Sequence, residues 1–152
     1  MDQKVERGKP AEYGQEILLR RARLTSAFVS LNGKLVLDFG SGNGAQTFEL
    51  LKNGCRIIAC DVDASDLAVL TGYAEEHGID TVRALHYDGE HVPVEDGLCD
   101  AVVSFAVLEH VRDEKIALAE IRRVMKDSGH LVISVPNKWW LFETHGARLP
   151  IL

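Results

Sequence analysis

The sequence is poor in the residues that build covalent or metal-based frameworks. Cys55, Cys60 and Cys99 are an odd set of three in 152 residues, with no CxxC pair, which argues against a disulfide scaffold and against structural zinc. Cys55 and Cys99 border apolar, strand-like runs, where a free thiol behaves as a small hydrophobe, so all three are expected as reduced core residues. His86, His91, His130 and His145 show no metal-ligand spacing, and no metal is expected. No apolar run approaches the roughly 20 residues of a membrane-spanning helix. Residues 1–10 are charged and lack the apolar stretch of a signal sequence, from which a cytoplasmic location is expected. Positive charge is also short: 17 Lys and Arg against 23 Asp and Glu leave a formal charge of −6, with no general attraction for nucleic acid. Arg20, Arg21 and Arg23 form the densest basic group and read as the wet face of a helix.

What is present is enough apolar material, 46% of residues, for one hydrophobic core. Ile17, Leu24, Phe28 and Leu31 recur at helical spacing and predict an amphipathic helix over 14–31, stopped by Asn32-Gly33. Leu35-Val-Leu37 reads as a buried strand, and Gly40-Ser-Gly-Asn-Gly44 opens a helix carrying Phe48, Leu50 and Leu51. A second strand is expected over 56–60, then a helix from an N-cap at Ser65 to the stop at Gly78. A third strand covers 82–87, a turn falls at Asp96-Gly97, and a fourth strand, almost wholly apolar, covers 101–105. Asp113 should cap a helix that Gly129 ends, before a fifth strand over 131–135. This alternation predicts an α/β, Rossmann-like fold: a parallel sheet with helices on both faces and the ligand site beyond the carboxyl ends of the strands.

The chemistry-bearing residues gather at those ends. Asp38 and the glycines from Gly40 to Gly44 follow the first strand, Asp61 the second, Asp88 the third, and the run Phe105 to His110 the fourth. The glycines let backbone approach a ligand, and the next helix would offer unpaired N–H groups to an anion. Asp61 lies 21 positions after Gly40, a spacing that suits an acidic acceptor for ribose hydroxyls. Gly40-x-Gly42-x-x-Ala45 also satisfies the loose dinucleotide fingerprint, so the loop alone does not choose a cofactor. Charge discriminates better: Asp38, Asp61, Asp88 and Glu109 would make the crevice negative, repelling a pyrophosphate and favouring a cationic ligand. Asp38 either faces that ligand or braces the glycine turn, and Asp63 reads as solvated or as a helix cap. His110 is a candidate general base or a hydrogen-bonded structural residue.

In order along the chain, four segments resemble the motifs of class I S-adenosylmethionine-dependent methyltransferases of the small-molecule branch. Leu35-Val-Leu-Asp-Phe-Gly-Ser-Gly-Asn-Gly44 is similar to their first motif and Ala59-Cys-Asp-Val-Asp63 to the end of their second strand. Tyr87-Asp-Gly89 looks like the adenine-side motif, and Asp96 to Val111 like the fourth-strand motif. The resemblance covers about residues 33 to 137. It implies S-adenosylmethionine as cofactor, with Gly40, Ser41 and Gly42 facing its methionine part, Asp61 on the ribose and Val62 against adenine. It further implies Asp88 on the adenine amino group with Gly89 beside it, and the backbone at Phe105 along the methionine end.

The resemblance also implies seven strands, the last two an antiparallel hairpin, whereas five are counted here with 17 residues after Val135. The expectation is a chain truncated at its C-terminus, divided into a helical lead-in (1–32), a cofactor-binding core (33–137) and the start of an acceptor-side segment (138–152). Its fifth strand would be an exposed edge through which the chain could self-associate. Trp139, Trp140 and Phe142 would either line an acceptor pocket or cover the sheet. The function expected is methyl transfer to a small-molecule or lipid-like acceptor. The alternatives are an NAD-dependent oxidoreductase domain and a non-catalytic cofactor-binding fragment.

Overall fold

The computed structural model describes residues 12–135. Trp139, Trp140, Phe142 and the 138–152 segment lie outside the described residues. In chain order the elements are α1 (Glu12–Phe28), β1 (Leu35–Phe39), α2 (Ala45–Leu51), β2 (Arg56–Asp61) and α3 (Ala64–Glu76). They continue with β3 (Val82–His86), β4 (Cys99–Phe105), α4 (Glu114–Val124) and β5 (Met125–Ser134), with a short 3₁₀ turn, Leu108–His110, after β4. The strands form one parallel sheet in the order β3-β2-β1-β4-β5. The doubly wound α/β expectation holds.

Because strand side chains alternate between faces, the three central strands divide their apolar residues between two cores. Val36, Ile57, Ala59, Ala101 and Val103 meet α1, α2 and α3 through Ala22, Leu50 and Leu70. On the opposite face, Leu37, Phe39, Ile58 and Val102 meet Ala117, Ile121 and Val124 of α4. No helix joins β3 to β4. The intervening segment covers that second face with Tyr87, Val92 and Val94 instead. Cys55, Cys60 and Cys99 are buried and unpaired, and burial pushes the Cys60 thiol up to about 12.

Three local expectations are corrected. The cap of α3 is Asp63, whose carboxylate accepts from the N–H groups of Ser65 (2.9 Å) and Asp66 (3.3 Å). Gly129 does not end α4, which stops at Val124. The chain passes directly into β5, pairs Met125 with Cys99, and bulges before His130 pairs with Ala101. Gly129 sits in that bulge because a Cβ there would overlap the Met125 side chain and stand 2.8 Å from the Lys126 carbonyl. Finally, α1 buries Ala22 and Thr25, while Ile17, Leu24 and Phe28 remain exposed. Small residues on its inner face let α1 lie close to α2, to which Gln46 and Asn53 bind it through Leu18 and Ser26. Arg20 and Arg23 are exposed as expected, but Arg21 is half-buried over the Phe105 ring, 5.3 Å from its centre.

Candidate functional site

A crevice of about 500 Å³ opens at the carboxyl ends of β1 to β4, within the roughly 300–1,000 Å³ typical of small-molecule sites. Gly40 and Gly42 form its floor; Asp61 and Val62 leave the end of β2; Tyr87, Asp88, Gly89 and Glu90 follow β3. The facing wall follows β4 and contains Ala106, Val107, His110, Val111 and Arg112. A smaller cavity, about 210 Å³, lies beside Lys34 and His130 at the amino ends of the strands, away from these residues.

Asp61 ties the floor to β2. Its two carboxylate oxygens accept from Gly42 N–H (2.7 Å) and from Asp63 N–H (2.9 Å), and each retains a lone pair for a ligand donor. The preceding loop amides are also engaged, since Gly40 and Ser41 both donate to the Cys60 carbonyl, at 2.8 and 3.1 Å. The N–H groups of Gly40, Ser41 and Gly42 therefore already have partners within the protein, and at the start of α2, where open N–H groups were expected, that of Ala45 donates to Asn43 Oδ1 at 3.3 Å. Gly40 (φ 79°) and Gly42 (φ 51°) turn the loop through the left-handed region. A Cβ at Gly40 would overlap both methyl groups of Val107, so the floor and the far wall touch there.

Asp88 folds one carboxylate oxygen back onto its own chain, where it accepts from Glu90 N–H (2.9 Å) and His91 N–H (2.8 Å). Those donors, His91 first, hold the carboxyl below its usual range and keep it ionised. Its other oxygen accepts no hydrogen bond from another described residue. Between Asp61 and Asp88, the Val62 side chain stands 53% exposed, an aliphatic surface beside two carboxylates.

Not every residue expected at the site lines the crevice. Asp38 is on the same side of β1 as Val36, and so faces α2, where its buried carboxylate accepts from Thr47 Oγ at 2.6 Å. Burial raises its pKa to about 6, an effect that the Thr47 hydrogen bond opposes and nearby Asp61 reinforces. Asp38 is thus a brace beneath the loop. Ser41 is buried off the lining, with no partner for its hydroxyl among the described residues. The Phe105 side chain joins the α1–α3 core, leaving its neighbours Ala106 and Val107 on the wall. Glu109 is likewise off the lining and acts electrostatically on Arg21. The crevice is less negative than expected: Asp61, Asp88 and Glu90 face one cation, Arg112, which makes no ion pair among the described residues.

Tyr87, Glu90, Ala106, Val107, Val111 and Arg112 also line the crevice without having been singled out from the sequence, and two of them carry structural detail. Tyr87 is buried against Phe39, with ring centres 5.4 Å apart, and its presence within the quoted Tyr-Asp-Gly motif was an available signal. Ala106 has φ 58°, the one non-glycine in the left-handed region among the described residues, and its N–H donates to Ser134 O at 2.7 Å. Strain of this kind, about 1–2 kcal/mol for a residue with a Cβ, gathers at functional sites.

Known proteins resemble this chain in sequence and fold. A family model described as a methyltransferase domain matches residues 37–133. The demethylmenaquinone methyltransferase of Thermobifida fusca is 37% identical over 123 residues, covering 79% of this chain and 50% of that protein. The ubiquinone biosynthesis O-methyltransferase of Cronobacter sakazakii is 30% identical over 133 residues, covering 86% of this chain and 55% of that protein. The chain thus spans about half the length of the curated relatives it matches. A SAM-dependent methyltransferase from Aquifex aeolicus superposes with a TM-score of 0.72 at 22% identity, covering 78% of this chain and 65% of that one, and shares the fold. With its parallel sheet, its glycine floor and a family match that runs from β1 to β5, the chain belongs to the methyltransferase domain family.

Proposed function

We propose that this chain is the S-adenosylmethionine-binding core of a methyltransferase acting on a small, quinone-like acceptor. The observation that carries the reading is the convergence of Gly42, Asp61, Val62, Asp88 and Gly89 on one crevice. These residues fit the cofactor: paired acceptors on Asp61 suit two vicinal hydroxyls, exposed Val62 suits a flat ring, and the open oxygen of Asp88 suits an exocyclic amino group. When bound, the cofactor supplies an electrophilic methyl group on a sulfonium. The protein contributes placement and exclusion of water, which can meet much of the barrier to a direct displacement.

His110 and Arg112 both line the facing wall; in this reading His110 receives a proton from an acceptor hydroxyl and Arg112 stands near the oxygen that loses it. The names of the relatives, demethylmenaquinone and ubiquinone biosynthesis methyltransferases, suggest the quinone class of acceptor. An NAD-dependent reading is weaker, because three carboxylates line the crevice and the loop amides a pyrophosphate would need are tied to β2. No helix among the described residues is long and apolar enough to cross a membrane, and three buried thiols suit the reducing cytoplasm in which we place the protein. The outer edge of β5, unpaired among the described residues, is the place for self-association in this reading.

The test is transfer of labelled methyl from S-adenosylmethionine to a demethylated quinol, with calorimetric binding of S-adenosylhomocysteine and NAD in parallel. Label in the quinol and preference for S-adenosylhomocysteine are expected. Tighter binding of NAD would overturn the cofactor, and tight cofactor binding with no transfer to any quinol would leave the non-catalytic reading in its place.

A further inference from the structure

The segment between β3 and β4 has no regular structure, yet its buried backbone polar groups need partners. Two side chains of α4 supply them. Glu120 Oε2 accepts from Val92 N–H at 2.9 Å, and Arg123 Nη2 donates to Val92 O at 2.8 Å, so together they serve Val92 as a neighbouring strand would. Arg123 Nη1 also donates to Val94 O and to Asp96 Oδ1, both at 2.7 Å, and the Arg123 carbonyl accepts from Gly97 N–H at 2.8 Å. Glu120 and Arg123 are locked to each other by paired bonds of 2.6 and 2.8 Å, and Glu120 additionally meets His91 Nδ1 at 3.1 Å.

Neither α4 residue lines the crevice, but the segment they hold begins next to it. His91, whose N–H fixes one oxygen of Asp88, is the immediate neighbour of Val92. The direction in which the free Asp88 oxygen points therefore depends on where the clamp sets Val92. We propose that Arg123, locked by Glu120, is a positioning residue that aims Asp88 and so sets the crevice's preference for a ring bearing an amino group. This rests on the cofactor reading given above. A guanidinium is required because one planar group must reach two carbonyls and two carboxylates at once, which a lysine ammonium cannot span.

The experiment compares calorimetric binding of S-adenosylhomocysteine with that of its inosine counterpart, in which an oxo group replaces the ring amino group. Loss of one hydrogen bond to a charged acceptor should make the wild type prefer the adenosine form by roughly tenfold or more. Arg123→Lys and Glu120→Gln should each narrow that preference to about threefold or less, since the bond depends on Asp88 being correctly aimed. A purely structural role would lower the melting temperature and leave the ratio unchanged. If Arg123→Lys folds too weakly to titrate, Glu120→Gln, which keeps side-chain volume, gives the same reading. The control is Asp88→Ala, which removes the acceptor altogether. If it abolishes the preference while the two clamp variants keep it, the clamp is overturned; if it keeps the preference, the adenine role of Asp88 fails, and the proposal with it.

Discussion

The two walls of the crevice are built on different principles. At the ends of β2 and β3, carboxyl groups are held in place by backbone N–H groups, so the polar atoms are set before any ligand arrives. After β4 the wall is aliphatic and basic, and its shape comes from a bend at Ala106 that the residue's own Cβ opposes. One wall stores order in hydrogen bonds and the other stores strain. In the function proposed above, recognition of the cofactor belongs to the first and contact with the acceptor to the second. Asp38 lies beneath the floor and serves neither directly.

Removing Asp61 should break the ordered wall most severely. Asp61→Ala deletes acceptors for a ligand and also frees Gly42 N–H. With hydrogen bonds to charged groups at about 1.5–3 kcal/mol, affinity for S-adenosylhomocysteine should fall roughly tenfold to a hundredfold by calorimetry. An unchanged affinity would mean that the carboxylate serves the loop alone.

Asp38→Asn separates the brace from both walls. The folded-state pKa of Asp38 is raised to about 6, so between its unfolded value and about 6 the native state holds a proton that the unfolded chain has released. That group's contribution to stability is therefore greatest at low pH and declines as pH rises toward 6 and above. Relative to Asp38→Asn, the wild type should lose melting temperature over this window. Parallel pH profiles would refute the assignment.

The smallest effect is expected on the strained wall. Ala106→Gly relieves a left-handed conformation at the cost of added unfolded-state freedom, and should stabilise by about 0.5–1 kcal/mol in urea titration. A loss of stability of that size, as for glycine at an ordinary position, would show that the bend carries no strain.

Much of this architecture was readable from pattern. Five apolar runs, all but the third and fourth separated by a helix, specify the sheet, and Asp113 caps α4 as its position implied, accepting from Lys115 and Ile116 N–H. The parity of β1 also contained the fate of Asp38, since a residue two from Val36 must face the same helices, and Phe105 shares the side of Val103 for the same reason. Other features had no local signature. Asp63 and Ser65 are equally good caps by chemistry, and only the fold's entry angle into α3 selects the first. Nothing in Ala106 announces a positive φ, which goes with a hydrogen bond from its N–H to Ser134, 28 positions away. The contacts of Arg123 with Val92, Val94 and Asp96 cross 27 to 31 positions, and no periodicity encodes them.

The contact between Gly40 and Val107 bears on how this crevice can diversify. With φ at 79° and the Val107 methyls where a Cβ would stand, position 40 is closed to any other residue. At this contact, change in the depth of the groove is left to position 107: a smaller residue there would deepen it, and a bulkier one would press on the loop. Among related chains, variety in acceptor should track the residue at that one place while the glycine opposite stays constant.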